Sequence, residues 1–493
     1  MTSTWLAETY RPRAPVYVLT RAWSAWDTGA AALIAAFAAV ETLIVTVAAK
    51  GPTLDEAIYL TAGQRLLDGH GMSDGYLAWF AGSLGWPALA GLGDTVAGLA
   101  GARLLAALFV TIALFAMWRA AAALFDARAG FFAVALGVAS GPVLALGHLA
   151  VIDTPAVAGV AVALWGVAEL GRTGDRKWLV LAAGAFSLGV LAKYPAIACG
   201  LPLLLVLVVL RGRRAAMDAA IFVLITGAVL ITYFLSARGP LSYFLTWRTS
   251  NNPTFGVTPE MIAFSQLWYG GLPVLLALGG WVACGRRSLG AALLVGAVPF
   301  PLYVLVTGSS VGDTKHMVFG FVFLLPLAGV LLGRLARWPA GAVVALILAA
   351  AAGVFGARQA ELMERAWIDL DPATRYLSAH ARPGQDYLID NSWPFIHRLY
   401  EDGRVRDPWN VYDTYRVAHH QLPKPVCRVD WFVVAQGAGA WPARVRRQVD
   451  ACGTFKRVYA RKQSVTNIGR DLSFVKWDGR VEIYRNVRAG RSG

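Results

Sequence analysis

Charge is scarce in these 493 residues: Asp, Glu, Lys and Arg make up 15% of them, hydrophobic residues 57%, and the mean hydropathy is +0.53. That shortage excludes a wholly soluble protein and leaves an integral membrane protein. Cysteine is rare too, at four residues, which excludes a disulfide scaffold, although Cys427 and Cys452 fall together in the polar C-terminal region and an oxidising compartment would let them bridge. A repeat of fixed period, a low-complexity tract and coiled-coil heptads are all missing. Neither His148 nor His316 has the paired spacing of a metal site. The net charge of +15 raises nucleic acid as a partner, but arginines of a membrane chain concentrate on cytoplasmic loops for topological reasons, so no nucleic acid is expected. The run after residue 28 lacks a small-residue cleavage site and reads as a retained first span behind a cytoplasmic N-terminal segment, 1–28.

Long apolar runs are what the chain has in abundance. Stretches of about 17 to 25 residues suit one crossing of a bilayer, and they occur near 29–49, 100–124, 129–149, 154–171, 178–193, 195–211, 217–236, 262–284, 288–307, 316–333 and 339–357. About eleven spans are expected. With the N-terminus inside, "FDARAG", "GRTGDRK", "RGRRAAMD", "CGRRS" and "GRLARW" all fall on the cytoplasmic side, as the positive-inside rule requires.

This topology gathers the ionisable residues on the opposite face. Asp55 and Glu56 of "TLDEAIYLTAGQRLLDGHG" lie in a long first external loop, 50–99; Asp153 lies in "HLAVIDTPAV", Lys193 and Tyr194 in "LAKYPAI", Lys315 and His316 in "GSSVGDTKHM". The loop "SARGPLSYFLTWRTSNNPTFGVTPEM", with Arg248, suits a lipid-linked or sugar-bearing ligand lying across it. Each residue also has a plainer reading. Thr53 reads as an N-cap, with Asp55 and Glu56 favouring the positive end of the following helix. Asp153 reads as a cap before Pro155, and Lys193 as a lysine snorkelling at a helix end. Ionisable groups beside a membrane are nevertheless functional candidates by default.

Joined in this order, "LDEAIYLTAGQRLLDGHG", "VIDTPAV", "LAKYPAI" and "TKHMVFGFVFLLPLAGVLL" resemble the GT-C glycosyltransferases, in the branch of protein O-mannosyltransferases, aminoarabinose transferases and rhizobial lipopolysaccharide galacturonosyltransferases. The resemblance covers residues 29–357, the expected transmembrane catalytic domain. It implies a polyprenyl-phosphate sugar donor, a glycan, lipid or protein acceptor, and inverting transfer on the extracytoplasmic face of a bacterial inner membrane. It implies Asp55, Glu56 and Asp153 as catalytic carboxylates and Lys193, Tyr194, Arg248, Lys315 and His316 as donor-phosphate contacts. Related proteins often carry an arginine and an aromatic where this chain has Lys315 and His316. A divalent cation among Asp55, Glu56, Asp153 and His316 stays open as a cofactor.

After residue 358 charged and aromatic residues become frequent, and "DYLIDNSW", "PFIHRLYEDG", "VDWFVVAQ", "WPARVRRQVDACG" and "RVEIYRNV" alternate strand-like and helical stretches. The expected architecture is therefore an α-helical polytopic membrane domain followed by a small extracytoplasmic α/β domain, 358–493. That tail does not resemble the β-trefoil repeats of eukaryotic protein mannosyltransferases. Two other classes fit a polytopic chain: a transporter, which would place its acids on broken helices near the midplane, and a non-catalytic assembly or binding subunit.

Overall fold

A computed structural model describes residues 23–47, 50–71, 74–239, 242, 258–307, 313–413, 425–435, 440–468 and 471–488. Arg248 lies outside them. The membrane part comprises α1 (Ala25–Val47), α2 (Leu54–Leu67), α3 (Gly85–Leu124), α4 (Ala127–Val138), α5 (Gly141–Gly147), α6 (Asp153–Thr173), α7 (Lys177–Ala192), α8 (Gly200–Arg211), α9 (Ala215–Ser236), α10 (Pro259–Ala283), α11 (Arg287–Val295), α12 (Pro299–Thr307), α13 (Asp313–Leu335) and α14 (Pro339–Arg365).

Among the described residues, eight helical stretches are long and apolar enough to cross a membrane, or nine if α4 and α5, bent by 69°, form one broken span. The count of eleven differs for two physical reasons. First, α7 has 16 residues, about 24 Å of helix against a hydrocarbon core of about 30 Å. Second, Tyr194–Ser236 is one 43-residue apolar stretch by composition, yet the rings of Tyr194 and Phe234 meet at 5.4 Å. The chain therefore doubles back near Gly212, where φ is 52°, and α8 and α9 form an antiparallel pair.

In α3 the helix breaks at Ala97 and Gly98. Its first part precedes this break and packs on α2. Gly63 and Gly91 make that contact possible, because a Cβ on Gly63 would lie 2.2 Å from the Pro87 carbonyl oxygen. The most enclosed spans are α6 and α13, with 78% and 83% of their apolar windows buried, whereas α14 has 17%. Their N-termini carry Asp153 and the Lys315–His316 pair, so the centre of the bundle is also where these side chains emerge.

The tail contains α15 (Asp371–His380), β1 (Tyr387–Ile389), α16 (Trp393–Glu401), β2 (Val411–Asp413), β3 (Trp431–Val434), α17 (Ala440–Cys452), β4 (Phe455–Ile468) and β5 (Phe474–Asn486). Its five-stranded sheet has the order β2-β1-β3-β5-β4, parallel across β2-β1-β3 and antiparallel beyond. Alternation divides the sheet's two faces: Tyr387, Ile389, Trp431 and Val433 pack with residues of α15 and α16, and Leu388, Phe432 and Val434 pack with Val445 and Val449 of α17. Tail and first loop are joined by Tyr400, which donates to Asp68 at 2.6 Å, and by Arg65, which donates to the Arg406 carbonyl at 3.3 Å. The side chains named above therefore lie on the same side of the bundle as the tail.

Cys427 and Cys452 form a disulfide with Cα atoms 5.4 Å apart. Closing a loop of this length stabilises a domain by about 3 kcal/mol in the chain-entropy model. Alkylation of the denatured but unreduced protein is expected to label Cys199 and Cys284 and to spare Cys427 and Cys452. Cys452→Ser should leave the tail markedly easier to digest with protease.

Candidate functional site

Thr53 caps α2 in a full capping box: its side chain accepts from the Glu56 amide, and the Glu56 carboxylate accepts from the Thr53 amide at 2.9 Å. The sequence pattern T-x-x-E thus does the local work that caps do. The adjacent acids then separate in purpose. Glu56 is fully buried. Its Oε1 accepts from Arg103 Nε at 2.7 Å and from the Ala150 amide at 2.8 Å, and its Oε2 accepts from Arg103 Nη2 at 2.8 Å. Arg103 also donates to the Lys50 and Gly51 carbonyls, at 2.9 and 3.2 Å. This clamp ties the start of α2 to the segment entering α6, and it leaves the Glu56 carboxylate no free acceptor site for a substrate.

Burial alone would raise the Glu56 pKa, but the Arg103 guanidinium and the Thr53 and Ala150 amides outweigh it and hold it below the ordinary glutamate value. A depressed folded-state value means that the clamp's stabilisation is complete at neutral pH and is lost only as pH falls through that lowered value. Removing one partner of such a buried pair costs about 3–5 kcal/mol. Glu56→Ala is therefore expected to abolish most folded protein in a detergent thermal-stability assay, while Glu56→Gln, which keeps an acceptor oxygen, should retain more.

Asp55, one residue earlier on α2, points elsewhere and forms an ion pair with Lys315. Asp153 does not cap α6; the N-cap is Ile152, which makes no side-chain cap bond. Its fully buried carboxylate instead accepts from Lys193 Nζ at 2.6 Å and lies 3.6 Å from His316 Nε2 and 3.9 Å from Lys315 Nζ. Lys193 Nζ is also 2.6 Å from His316 Nε2, so Lys193 turns inward rather than snorkelling. Asp153 Oδ2 and His316 Nδ1 have no hydrogen-bond partner among the described residues. Buried polar atoms of this kind are normally satisfied, and these two leave hydrogen-bonding capacity for a ligand.

Of the eight residues singled out from the sequence, five thus converge: Asp55, Asp153, Lys193, Lys315 and His316. Glu56 sits in the clamp. Tyr194 stands apart, because its hydroxyl donates to the Ala81 carbonyl and its ring packs on Phe234. His148 lies outside the cluster in an ion pair with Glu41 at 3.1 Å and Glu364 at 3.2 Å. Burial opposes its charge, but hydrogen bonds to Glu364 and Glu41 prevail and raise it to about 9. Among the described residues no group of three or more His, Cys, Asp and Glu side chains could hold a metal ion. Asp55 and Asp153 already meet two ammonium groups, a donor set that does not fit a divalent cation.

Three residues of this site were not read from the sequence. Tyr59, one turn after Asp55, is held protonated first by burial and then by the charges of Asp55 and Asp153. Ser83 reaches the Leu191 and Ala192 carbonyls, at 2.7 and 2.6 Å, and so fixes the helix end from which Lys193 projects. Arg103 carried a legible signal, an arginine inside an apolar run; Tyr59 and Ser83 carried none.

Residues 89–237 match a family model described as dolichyl-phosphate-mannose-protein mannosyltransferase. The whole chain is similar in fold to the ArnT of Cupriavidus metallidurans in its apo state, with TM-score 0.61 and 15% identity over 94% of this chain and 99% of that one. The chain shares the fold of that ArnT. The same ArnT bound to undecaprenyl phosphate gives TM-score 0.60 at 15% identity, covering 93% of this chain and 98% of that one. An archaeal oligosaccharyltransferase, AglB from Archaeoglobus fulgidus in complex with an inhibitory peptide and a dolichol-phosphate, gives 0.55 at 10% identity, covering 91% and 74%. No curated protein matches the chain significantly in sequence. The GT-C resemblance expected from the motifs is met, as is the architecture of a multi-pass helical membrane protein with a small C-terminal sheet.

Proposed function

We propose that the protein transfers one sugar, a hexose or pentose, from a polyprenyl-phosphate donor to a hydroxyl of an envelope glycan, glycolipid or protein, at the extracytoplasmic face of a bacterial plasma membrane. The observation that carries this reading is the convergence of two carboxylates with Lys193, Lys315 and His316 at one end of the bundle. The undecaprenyl phosphate and dolichol-phosphate named with the ArnT and AglB structures support a donor of that class. The Cys427–Cys452 disulfide supports an oxidising compartment for the tail, and with it for the cluster on the same side.

The chemistry follows from the charges. A hydroxyl is a poor nucleophile, and Asp55 is the carboxylate placed to take its proton as it attacks the anomeric carbon. The bond from that carbon to the donor phosphate oxygen breaks, and the phosphate leaves with the electron pair. Lys193 and Lys315 are the cations available to that developing charge. A donor phosphate arriving at Lys315 competes with Asp55 for the ammonium and frees the carboxylate to act as base. A single displacement of this kind inverts the anomeric centre.

The test is the lipid that accumulates when the protein is removed. Cells lacking it should build up a polyprenyl-phosphate monosaccharide, identified by mass, that disappears when the gene is restored. Unchanged prenyl-phosphate sugars in such cells would contradict the reading.

A further inference from the structure

The tail carries an unusual charge for a domain beside a membrane. Residues 440–488 hold twelve lysines and arginines against four acids. The transmembrane helices do not require this excess, since loop charge bias governs short loops near span ends and not a domain of this length. The charge is also ordered. β4 and β5 form a long antiparallel hairpin in which Ile468 pairs with Phe474, Thr466 with Lys476 and Lys462 with Arg480. Paired positions share a face, and that face repeats every second residue.

One face of this hairpin is committed inward, where Val481 and Ile483 enter the tail core. The other begins at the bundle: the Phe474 ring packs on Trp268 at 5.2 Å and on Phe264 at 6.1 Å, both in α10. Leu472 and Val475 beside it are exposed. Moving away from this apolar tip, the same face presents Lys476, the single acid Asp478, then Lys462 and Arg480, all exposed. Beyond them Arg457 and Arg446 join Arg480 around one buried acid, Glu482, at 2.9, 3.3 and 3.6 Å. One carboxylate cannot neutralise three guanidinium groups, and each arginine side chain remains about half exposed, at 52%, 46% and 54%.

An apolar tip resting on a transmembrane helix, followed by rows in which cations outnumber acids, matches the two layers of a bilayer surface, acyl boundary and anionic headgroups. We propose that this face of the β4–β5 hairpin is a docking surface for anionic phospholipid headgroups, which pins the tail to the leaflet around the site. The occupant is the surrounding lipid rather than a soluble anion, because the cations are continuous with the apolar contact at the membrane and spread along the hairpin instead of enclosing a pocket.

The test uses the full chain in nanodiscs of phosphatidylcholine alone or of phosphatidylcholine mixed with phosphatidylglycerol, with amide hydrogen exchange read over residues 456–480. The expected result is exchange about tenfold slower in the anionic discs, a difference that high salt removes by screening. The triple variant Lys462→Gln, Lys476→Gln, Arg480→Gln should exchange alike in both lipids. Equal exchange of the unmodified protein in the two lipids would overturn the proposal, as would protection that survives both high salt and the triple variant. Equal protection from inorganic phosphate added to phosphatidylcholine discs would also overturn it and assign the surface to a soluble anion. None of these readouts depends on sugar transfer, so the proposal and the function proposed above fail separately.

Discussion

Asp55→Asn is expected to fold, to bind the lipid donor and to transfer sugar about 10² to 10⁴ times more slowly, the range lost with a general base. Stability should hold because the α2 cap is built from Thr53 and Glu56, because the asparagine oxygen still accepts from Lys315, and because Asp153 faces that ammonium at 3.9 Å. Asparagine keeps the shape and one acceptor oxygen but cannot take a proton. Steady-state transfer by purified variant and parent, at matched folded protein, checks this. The alternative carboxylate is Asp153, and near-normal transfer by Asp55→Asn with transfer lost in Asp153→Asn would move the base there.

Lys193→Met should lower turnover by about 10² to 10³, the loss typical of removing one preorganised group that stabilises developing negative charge. It should also destabilise the protein, because Asp153 is fully buried and Lys193 is its hydrogen-bonded cation at 2.6 Å. The two effects separate in the double variant Lys193→Met, Asp153→Asn, which removes the stranded charge. Thermal stability should return toward that of the parent while transfer stays low. Recovery of both together would make Lys193 no more than a counter-ion for Asp153.

The bundle was legible because apolar runs and arginine-bearing loops mark spans directly, whereas the count went astray where composition hides geometry. A 16-residue α7 is short for a crossing, whereas the reversal between α8 and α9 was marked by the arginine-bearing loop "RGRRAAMD" and is met by the contact of Tyr194 with Phe234. The site was legible as a set of ionisable residues on one side. What each does was not, since it depends on partners distant in sequence. Arg103, 47 residues away, claims Glu56, and Lys193, 40 residues away, makes Asp153 a buried ion-pair member, where its plainer reading was a helix cap. The resemblance gave Tyr194 as a phosphate contact; its hydroxyl donates to the carbonyl of Ala81, a residue at φ 52° whose turn no local pattern announces. In the tail the strands Tyr387–Ile389 and Trp431–Val434 stood out as buried apolar runs. The edge strand Phe455–Ile468 did not, because its exposed lysines and arginines break the alternation that marks a strand.

The most direct measurement of the central claim is transfer by the purified full chain from a polyprenyl-phosphate sugar carrying a radiolabelled monosaccharide, with acceptor extracted from cells lacking the protein. The expected result is label moving to the acceptor with one polyprenyl phosphate released per sugar and an inverted anomeric linkage, and almost no movement with Asp55→Asn. Label that stays on the donor in the presence of well-folded protein, or that moves equally with Asp55→Asn, Asp153→Asn and Lys193→Met, would contradict it.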